Sequence, residues 1–307
     1  MLHCFGGSSL SFHIRKPDFL LIGAQKSGTS WLWDKLNQHP GTDLPDLKEI
    51  HYFGGVENYL AGPERYYSHF SDTDPTRITG EASTSYLYDR IPYWHNSSQD
   101  ITYHESLPLI PDLVSQELPE VKIIVVLRDP VYRAISAYRH WLRQEYFPPL
   151  TGLKRAATKN PKTRIIEYGF YARYLSAWTK VFSENQILML VFERDVVANP
   201  ESGLKRVYRF LNLDEDFNPP APKRSFHRTW SWTRSAVNYY AGPIGRLLTR
   251  GRLGQFLDNT DILGRYALRK SDVQFLRSQY LPSRPELEGL LNRDLDCWDY
   301  GNKYLDS

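Results

Sequence analysis

Six residues without a charged or amide side chain, Phe19-Leu-Leu-Ile-Gly-Ala24, lead directly into Gln25-Lys-Ser-Gly-Thr-Ser30 and then into Trp31-Leu-Trp-Asp-Lys-Leu-Asn-Gln38. An apolar run of that length is a strand buried on both faces, so helices must cover it above and below. The helix is predicted over residues 29–38 and ends at His39-Pro40-Gly41, where proline and glycine stop helices. The same rhythm recurs twice. Residues 121–127 are apolar apart from Lys122, and residues 187–192 lead through Asn199-Pro200 to a predicted helix over residues 201–212. Strand followed by helix, three times over, is an α/β pattern: a central parallel sheet flanked by helices in three layers.

Between the second and third strands, Ile165, Tyr168, Tyr171, Leu175 and Trp178 recur at three- and four-residue intervals, which predicts an amphipathic helix over residues 164–182. Asn218-Pro-Pro-Ala-Pro222 interrupts the pattern, and the basic, aromatic residues 223–234 read as a long loop. Residues 271–298 read as helical with a break at Pro282 and Pro285. A chain of 307 residues could be one large α/β domain or two ordinary ones, and its 41% hydrophobic and 14% aromatic residues read as folded and globular throughout.

Lys and Arg at 38 against Asp and Glu at 35 give a net charge of +3, too mild for a nucleic-acid binder, so any anion site is local. With only Cys4 and Cys297, no disulfide framework is expected. The start has no basic and apolar leader, and no stretch approaches the roughly 18 apolar residues of a membrane span. A cytoplasmic protein without a membrane partner is therefore expected, with a trimmed lumenal domain as the alternative. Asn96-Ser97-Ser98 fits a glycosylation triplet, which has meaning only under that alternative.

In the turn 24–30, Gly28 permits backbone angles other residues avoid, so successive N–H groups can converge on an anion. The helix start adds its positive end, Lys26 a full charge, and Thr29 and Ser30 hydroxyls. A nucleotide-triphosphatase loop needs lysine directly after the second glycine. Gly23 and Gly28 have that spacing, but Thr29 holds the lysine position and the lysine precedes the glycine. The competing reading is a common strand-turn-helix junction decorated by a lysine.

A second turn follows the second strand, in Leu127-Arg-Asp-Pro-Val-Tyr-Arg-Ala-Ile-Ser-Ala-Tyr138. Pro130 suits the first helical position and Asp129 the N-cap. Ser136 lies off the apolar stripe of that helix, which leaves Arg128 and Ser136 able to meet one phosphate monoester. The competing reading pairs Arg128 with Asp129 and leaves Ser136 on the surface.

Together, Gln25-Lys-Ser-Gly-Thr-Ser-Trp-Leu32 resembles the 5′-phosphosulfate loop, and Leu127-Arg-Asp-Pro-x-x-Arg-Ala-x-Ser-x-Tyr138 the 3′-phosphate motif, of sulfotransferases that use 3′-phosphoadenosine 5′-phosphosulfate (PAPS). The glycan-sulfating branch is similar also at Tyr171-x-x-x-Leu175-x-x-Trp178 and at Glu193 with Asn199-Pro200. The resemblance implies a single domain of P-loop-like fold, with a core over residues 17–213 and covering segments over 214–307, and sulfuryl transfer from PAPS that leaves 3′-phosphoadenosine 5′-phosphate (PAP); an in-line displacement of this kind needs no metal. It implies nucleotide contacts from Lys26, Ser27, Gly28, Thr29, Ser30, Trp31, Arg128 and Ser136, with Arg228 added from the basic stretch.

Leu47-Lys-Glu-Ile-His-Tyr-Phe53 sets Glu49 and His51 at alternate positions, so in an extended segment both face one side. The segment resembles one in heparan-type sulfotransferases, which implies Glu49 as the base that takes the acceptor's proton, with His51 as partner or substitute and Lys26 assisting the leaving group. The competing reading is a solvated Lys48–Glu49 pair beside a core histidine. One departure stands out: Ala82 occupies the lysine position of Glu-Lys-x-x-x-Tyr in that branch, and Arg77, Lys223, Arg224 or Arg228 are the candidates to replace the charge. The acceptor stays open among a sugar hydroxyl, a glycan amine and a small natural product. Tyr52, Tyr59, Tyr86, Tyr88, Tyr93 and Trp94 are candidates to stack on it or to fill the core.

Overall fold

Strand β1 (Phe19–Gly23) is wholly buried and lies inside a four-stranded parallel sheet, between β2 (Gly80–Glu81) and β3 (Lys122–Leu127), with β4 (Ile187–Val191) beyond β3. The computed structural model describes residues 15–88, 90, 92–93, 102–103, 108–220, 231–260 and 268–305. The α/β expectation holds. Along β1 the side chains alternate: Leu20 and Ile22 enter the larger core cluster, Phe19 and Leu21 the smaller one.

Helices α1 (Thr29–Asn37) and α5 (Pro200–Leu211) cover the smaller cluster through Leu32, Leu36, Leu204, Val207 and Leu211. On the other face lie α2 (Ile110–Glu117), α3 (Pro130–Arg143) and α4 (Tyr171–Val181), followed by α8 (Lys270–Tyr280) and α9 (Arg284–Leu291). Two further helices, α6 (Trp232–Leu248) and α7 (Arg252–Asn259), precede α8 in the chain.

The register between β1 and β3 shifts after Leu21, where the chain leaves the ladder toward the turn. The Asp129 cap and Pro130 start of α3 are as read from sequence, with Asp129 accepting from the Val131 N–H at 2.9 Å.

Two expectations change, while the proline break between α8 and α9 falls where it was expected. The helix over 164–182 begins only at Tyr171, because Arg164 takes a positive φ of 48° and Phe170 a non-helical ψ of 64°. Ile165 and Tyr168 are buried as anticipated, but from irregular backbone. The loop expected over 223–234 ends by Ser231, whose hydroxyl accepts from the Arg234 N–H at 3.0 Å and caps α6; residues 221–230 lie outside the described residues. Pro282 sits in a short 3-10 turn joining α8 to α9 and Pro285 in the first turn of α9, so the break costs neither helix an interior bond. Among the described residues, no helix is long and apolar enough to cross a membrane.

Candidate active site

Gly28 opens α1 in the left-handed conformation, at φ 92°, and among the described residues no side chain caps the helix. The N–H groups of its first turn are therefore open to an outside acceptor. A Cβ at Gly28 would stand 2.8 Å from the Phe192 ring, so glycine is required by both angle and space. Ser27 and Thr29 are buried within the turn, whereas Ser30 is exposed. Trp31 packs against the smaller core cluster.

Lys26 is half-buried, and burial first, then the charge of Arg143, lower its ammonium to about 8. The same two charges reach His140, which burial, Lys26 and Arg143 lower to about 4. Ser136, His140 and Arg143 follow one another at i, i+4 and i+7, on one face of α3. That polar face was visible as spacing in the sequence, yet only Ser136 was read from it.

The two turns meet. Arg128 Nη1 donates to the Lys26 carbonyl at 3.2 Å, and the guanidinium lies 4.9 Å from the Phe192 ring centroid. Its Nε is buried without a hydrogen-bond partner among the described residues, with a Glu193 oxygen 4.0 Å away. Arg128 does not pair with Asp129, whose carboxylate accepts instead from the Val131 and Tyr300 N–H groups at 2.9 and 2.7 Å. Arg228 lies outside the described residues, as do Lys223 and Arg224.

Glu49 and His51 are brought together, though by a route other than the expected extended segment. The stretch is irregular and His51 has a positive φ of 57°. His51 Nε2 lies 3.2 Å from Glu49 Oε2, and its Nδ1 is 2.8 Å from the Ser85 hydroxyl. Lys48 Nζ donates to Glu49 Oε1 at 3.4 Å and to Ser30 Oγ at 3.1 Å, tying the segment to the turn. Burial alone would raise the Glu49 carboxyl; the His51 hydrogen bond and the Lys48 charge outweigh it, and the net shift is downward. Lys48, read from sequence only as a surface partner, is part of the site.

His51 is half-exposed, and with Glu49 it lines a cleft of about 670 Å³ together with Gln25, Trp141, Lys162 and Tyr168. Behind it, Glu81 is fully buried and accepts from the Tyr66 and Tyr86 hydroxyls, each at 2.7 Å, and from Ser83 at 2.8 Å. Ala82 is fully buried against the smaller cluster, so no cation stands there, and Arg77 is paired with Asp74 on the surface. Tyr52, Tyr86 and Tyr88 belong to the core, with Tyr59 partly buried against it. Tyr93 is described in backbone alone and Trp94 lies outside the described residues.

A family model described as the sulfotransferase domain matches residues 16–236. The bifunctional heparan sulfate N-deacetylase/N-sulfotransferase 1 of Caenorhabditis elegans is 28% identical over 69% of this chain and 24% of its own length. Heparan sulfate glucosamine 3-O-sulfotransferase 5 of Mus musculus is 28% identical over 64% of this chain and 54% of its own. Carbohydrate sulfotransferase 15 of the same species is 27% identical over 79% and 54%. The chain thus spans between a quarter and about half of the length of these relatives. A crystal structure of a sulfotransferase from Alicyclobacillus acidocaldarius superposes with a TM-score of 0.66 at 22% identity, covering 93% of this chain and 99% of that one, which shows a shared fold.

Proposed function

Because the chain belongs to the sulfotransferase domain family, whose model spans residues 16–236, we propose that it transfers the sulfuryl group of PAPS to a hydroxyl or amine of a glycan or small-molecule acceptor. The observation that carries this reading is the direct bond between the two turns, Arg128 Nη1 to the Lys26 carbonyl at 3.2 Å, beside the Glu49–His51 pair.

The residues fit the nucleotide. The uncapped start of α1, the half-buried Lys26 and the hydroxyls of Thr29 and Ser30 receive the 5′-phosphosulfate end. The Nε of Arg128, a buried donor without a partner among the described residues, is met by the acceptor oxygens of a 3′-phosphate. Ser27 and Gly28 shape the turn, and Ser136 contributes from the polar face of α3. Residues 17–213 form the nucleotide and catalytic core and residues 214–307 the covering part of one domain.

Glu49, kept ionised by Lys48 and His51, accepts the acceptor's proton as the acceptor oxygen or nitrogen bonds to sulfur. The sulfur–oxygen bond to the phosphate breaks in the same in-line step, and charge grows on the departing phosphate oxygen. Lys26 and the α1 N–H groups meet that charge. Atoms balance: sulfated acceptor, PAP and a proton on Glu49 that passes to His51 or water.

Heparan sulfate and carbohydrate sulfotransferases among the relatives support a glycan acceptor. The buried Ala82, where that branch carries a cation, favours a less acidic one. A cytoplasmic setting remains the reading for this chain.

The test is Glu49→Gln. Transfer falls by about three orders of magnitude while PAP binding changes less than about twofold, as for a group used only in the transition state. Wild-type turnover moves the role to His51. PAP without magnesium must raise the melting temperature where ATP does not, since Thr29 stands where a triphosphatase loop has its lysine; the reverse result identifies a nucleotide hydrolase or kinase.

A further inference from the structure

From Trp232 to Leu257 the chain carries no Asp or Glu and four arginines, Arg234, Arg246, Arg250 and Arg252. Two have acidic partners: Arg234 lies 2.8 Å from Asp258, and Arg246 lies 2.6 Å from Glu145. Arg250 and Arg252 are exposed, and among the described residues neither pairs with a carboxylate.

The same hairpin exposes large apolar side chains. Ile244, Leu247, Leu248 and Phe256 are 68%, 64%, 54% and 61% exposed, with Leu253 beside them. In α6 the break at Gly242, φ 54°, followed by Pro243, starts a short helix on which Ile244, Leu247 and Leu248 fall at i, i+3 and i+4. Leu253 and Phe256 repeat the three-residue spacing on α7. Buried glycines allow both close approaches in this hairpin: a Cβ at Gly254 of α7 would stand 2.1 Å from the Thr249 carbonyl at the end of α6, and one at Gly245 would stand 2.4 Å from the Val237 carbonyl across the kink within α6. Small residues face inward, leaving the large apolar side chains exposed.

Single exposed leucines are ordinary; a stripe of this size flanked by unpaired arginines is not. We infer that the α6–α7 hairpin docks on a bilayer surface carrying anionic lipid headgroups. Ile244, Leu247, Leu248 and Phe256 enter the boundary between headgroups and acyl chains, and Arg250 and Arg252 meet the headgroup phosphates. Charge favours this occupant over a second copy of the chain: an anionic headgroup layer supplies the partners that Arg250 and Arg252 lack among the described residues, whereas a second hairpin, without Asp or Glu from Trp232 to Leu257, offers them no carboxylate. The contact is with the surface only, since no described helix is long and apolar enough to span. The expectation of no membrane partner rested on the want of a span and left this face unweighed.

The hairpin is tied to the body at the end of α3, through the Arg246–Glu145 pair and the Trp232 ring, 5.4 Å from that of Tyr138. Docking therefore sets the α3 end of the molecule toward the bilayer. This inference does not depend on the proposed reaction.

The experiment is co-sedimentation of the full chain with phosphatidylcholine vesicles, with and without phosphatidylglycerol. Binding is expected to the anionic vesicles and to weaken at high salt. Arg250→Ser/Arg252→Ser lowers the apparent partition constant about tenfold, and Leu247→Ser/Phe256→Ser by about as much or more. All four positions are exposed, so both variants should keep the native melting transition and circular dichroism. Absence of binding to anionic vesicles, or equal binding by both variants, overturns the inference. So does light scattering that finds a dimer dispersed by Leu247→Ser/Phe256→Ser, which assigns the face to self-association.

Discussion

The indole Nε1 of Trp298 donates to Glu193 Oε2 at 2.8 Å across 105 positions of sequence. The other oxygen of Glu193 accepts from the Asp129 N–H at 3.2 Å and lies 4.0 Å from Arg128 Nε. A C-terminal tryptophan thus fixes the carboxylate that borders the proposed 3′-phosphate arginine. Glu193→Gln keeps the shape but has one acceptor oxygen for two donors, and loses the charge facing Arg128. The expected result is about tenfold weaker PAP binding together with about 1–3 kcal/mol of lost stability. Trp298→Phe should reproduce the direction at smaller size. Calorimetric titration with PAP checks both; an unchanged Kd beside a lowered Tm makes the strap structural only.

Lys26 gives affinity and stability opposite pH trends. Its folded pKa of about 8 lies below the usual 10.5, through burial and Arg143. Between those values the unfolded chain holds more of this proton than the folded one, so this group's contribution to stability rises with pH there. Anion binding needs the ammonium, so PAP affinity falls as pH rises through about 8, by up to about tenfold per pH unit. Lys26→Met should weaken PAP binding below that pH and flatten both trends. Melting curves with and without PAP across the range decide it.

The two turns were legible because each is local. A strand apolar throughout or nearly so, a Gly28 or Asp129-Pro130 junction and an apolar helical stripe sit within about twenty consecutive residues, and each part agrees with the others. The Glu49–His51 pair was readable as residues but not as geometry, since nothing in the sequence announces a positive φ at His51. The Trp298–Glu193 and Tyr300–Asp129 bonds join distant segments and leave no periodic signal. Residues 164–170 misled for a physical reason. Ile165 and Tyr168 are buried at helical spacing from non-α backbone, and the segment packs against a helix far along the chain, where a Cβ at Gly169 would stand 2.5 Å from the Tyr280 ring, a contact that local spacing does not announce.

Ser83 links the buried Glu81 to the Glu49–His51 segment. Its hydroxyl donates to Glu81 Oε2 at 2.8 Å and accepts from the His51 N–H at 3.0 Å. Ser83→Ala removes both bonds and frees the His51 backbone, so kcat should fall about tenfold while the Kd for PAP stays put. Stability should drop by about 1–3 kcal/mol, because Glu81 keeps only its two tyrosine donors. A fall in PAP affinity equal to that in kcat would show that the segment and the nucleotide turn move as one.

Asp129 makes the fold's pH dependence readable at one position. Burial raises its carboxyl to about 7, against the N–H bonds from Tyr300 and Val131 that favour the charge. With the folded value above the ordinary 3.8, the folded chain holds a proton that the unfolded chain has lost between about 4 and about 7. This group's contribution is therefore fully present below about 4 and is lost as pH rises through about 7. Asp129→Asn cannot titrate, so the melting temperature of the variant should lack that decline. Its amide has one acceptor oxygen for the Val131 and Tyr300 N–H groups, so its stability should lie lower by about 1–3 kcal/mol above pH 7, where the wild-type carboxylate is ionised and accepts from both. Urea unfolding of both proteins at several pH values gives the slopes. Parallel curves would mean that Glu193, whose carboxyl burial also raises, carries the dependence instead.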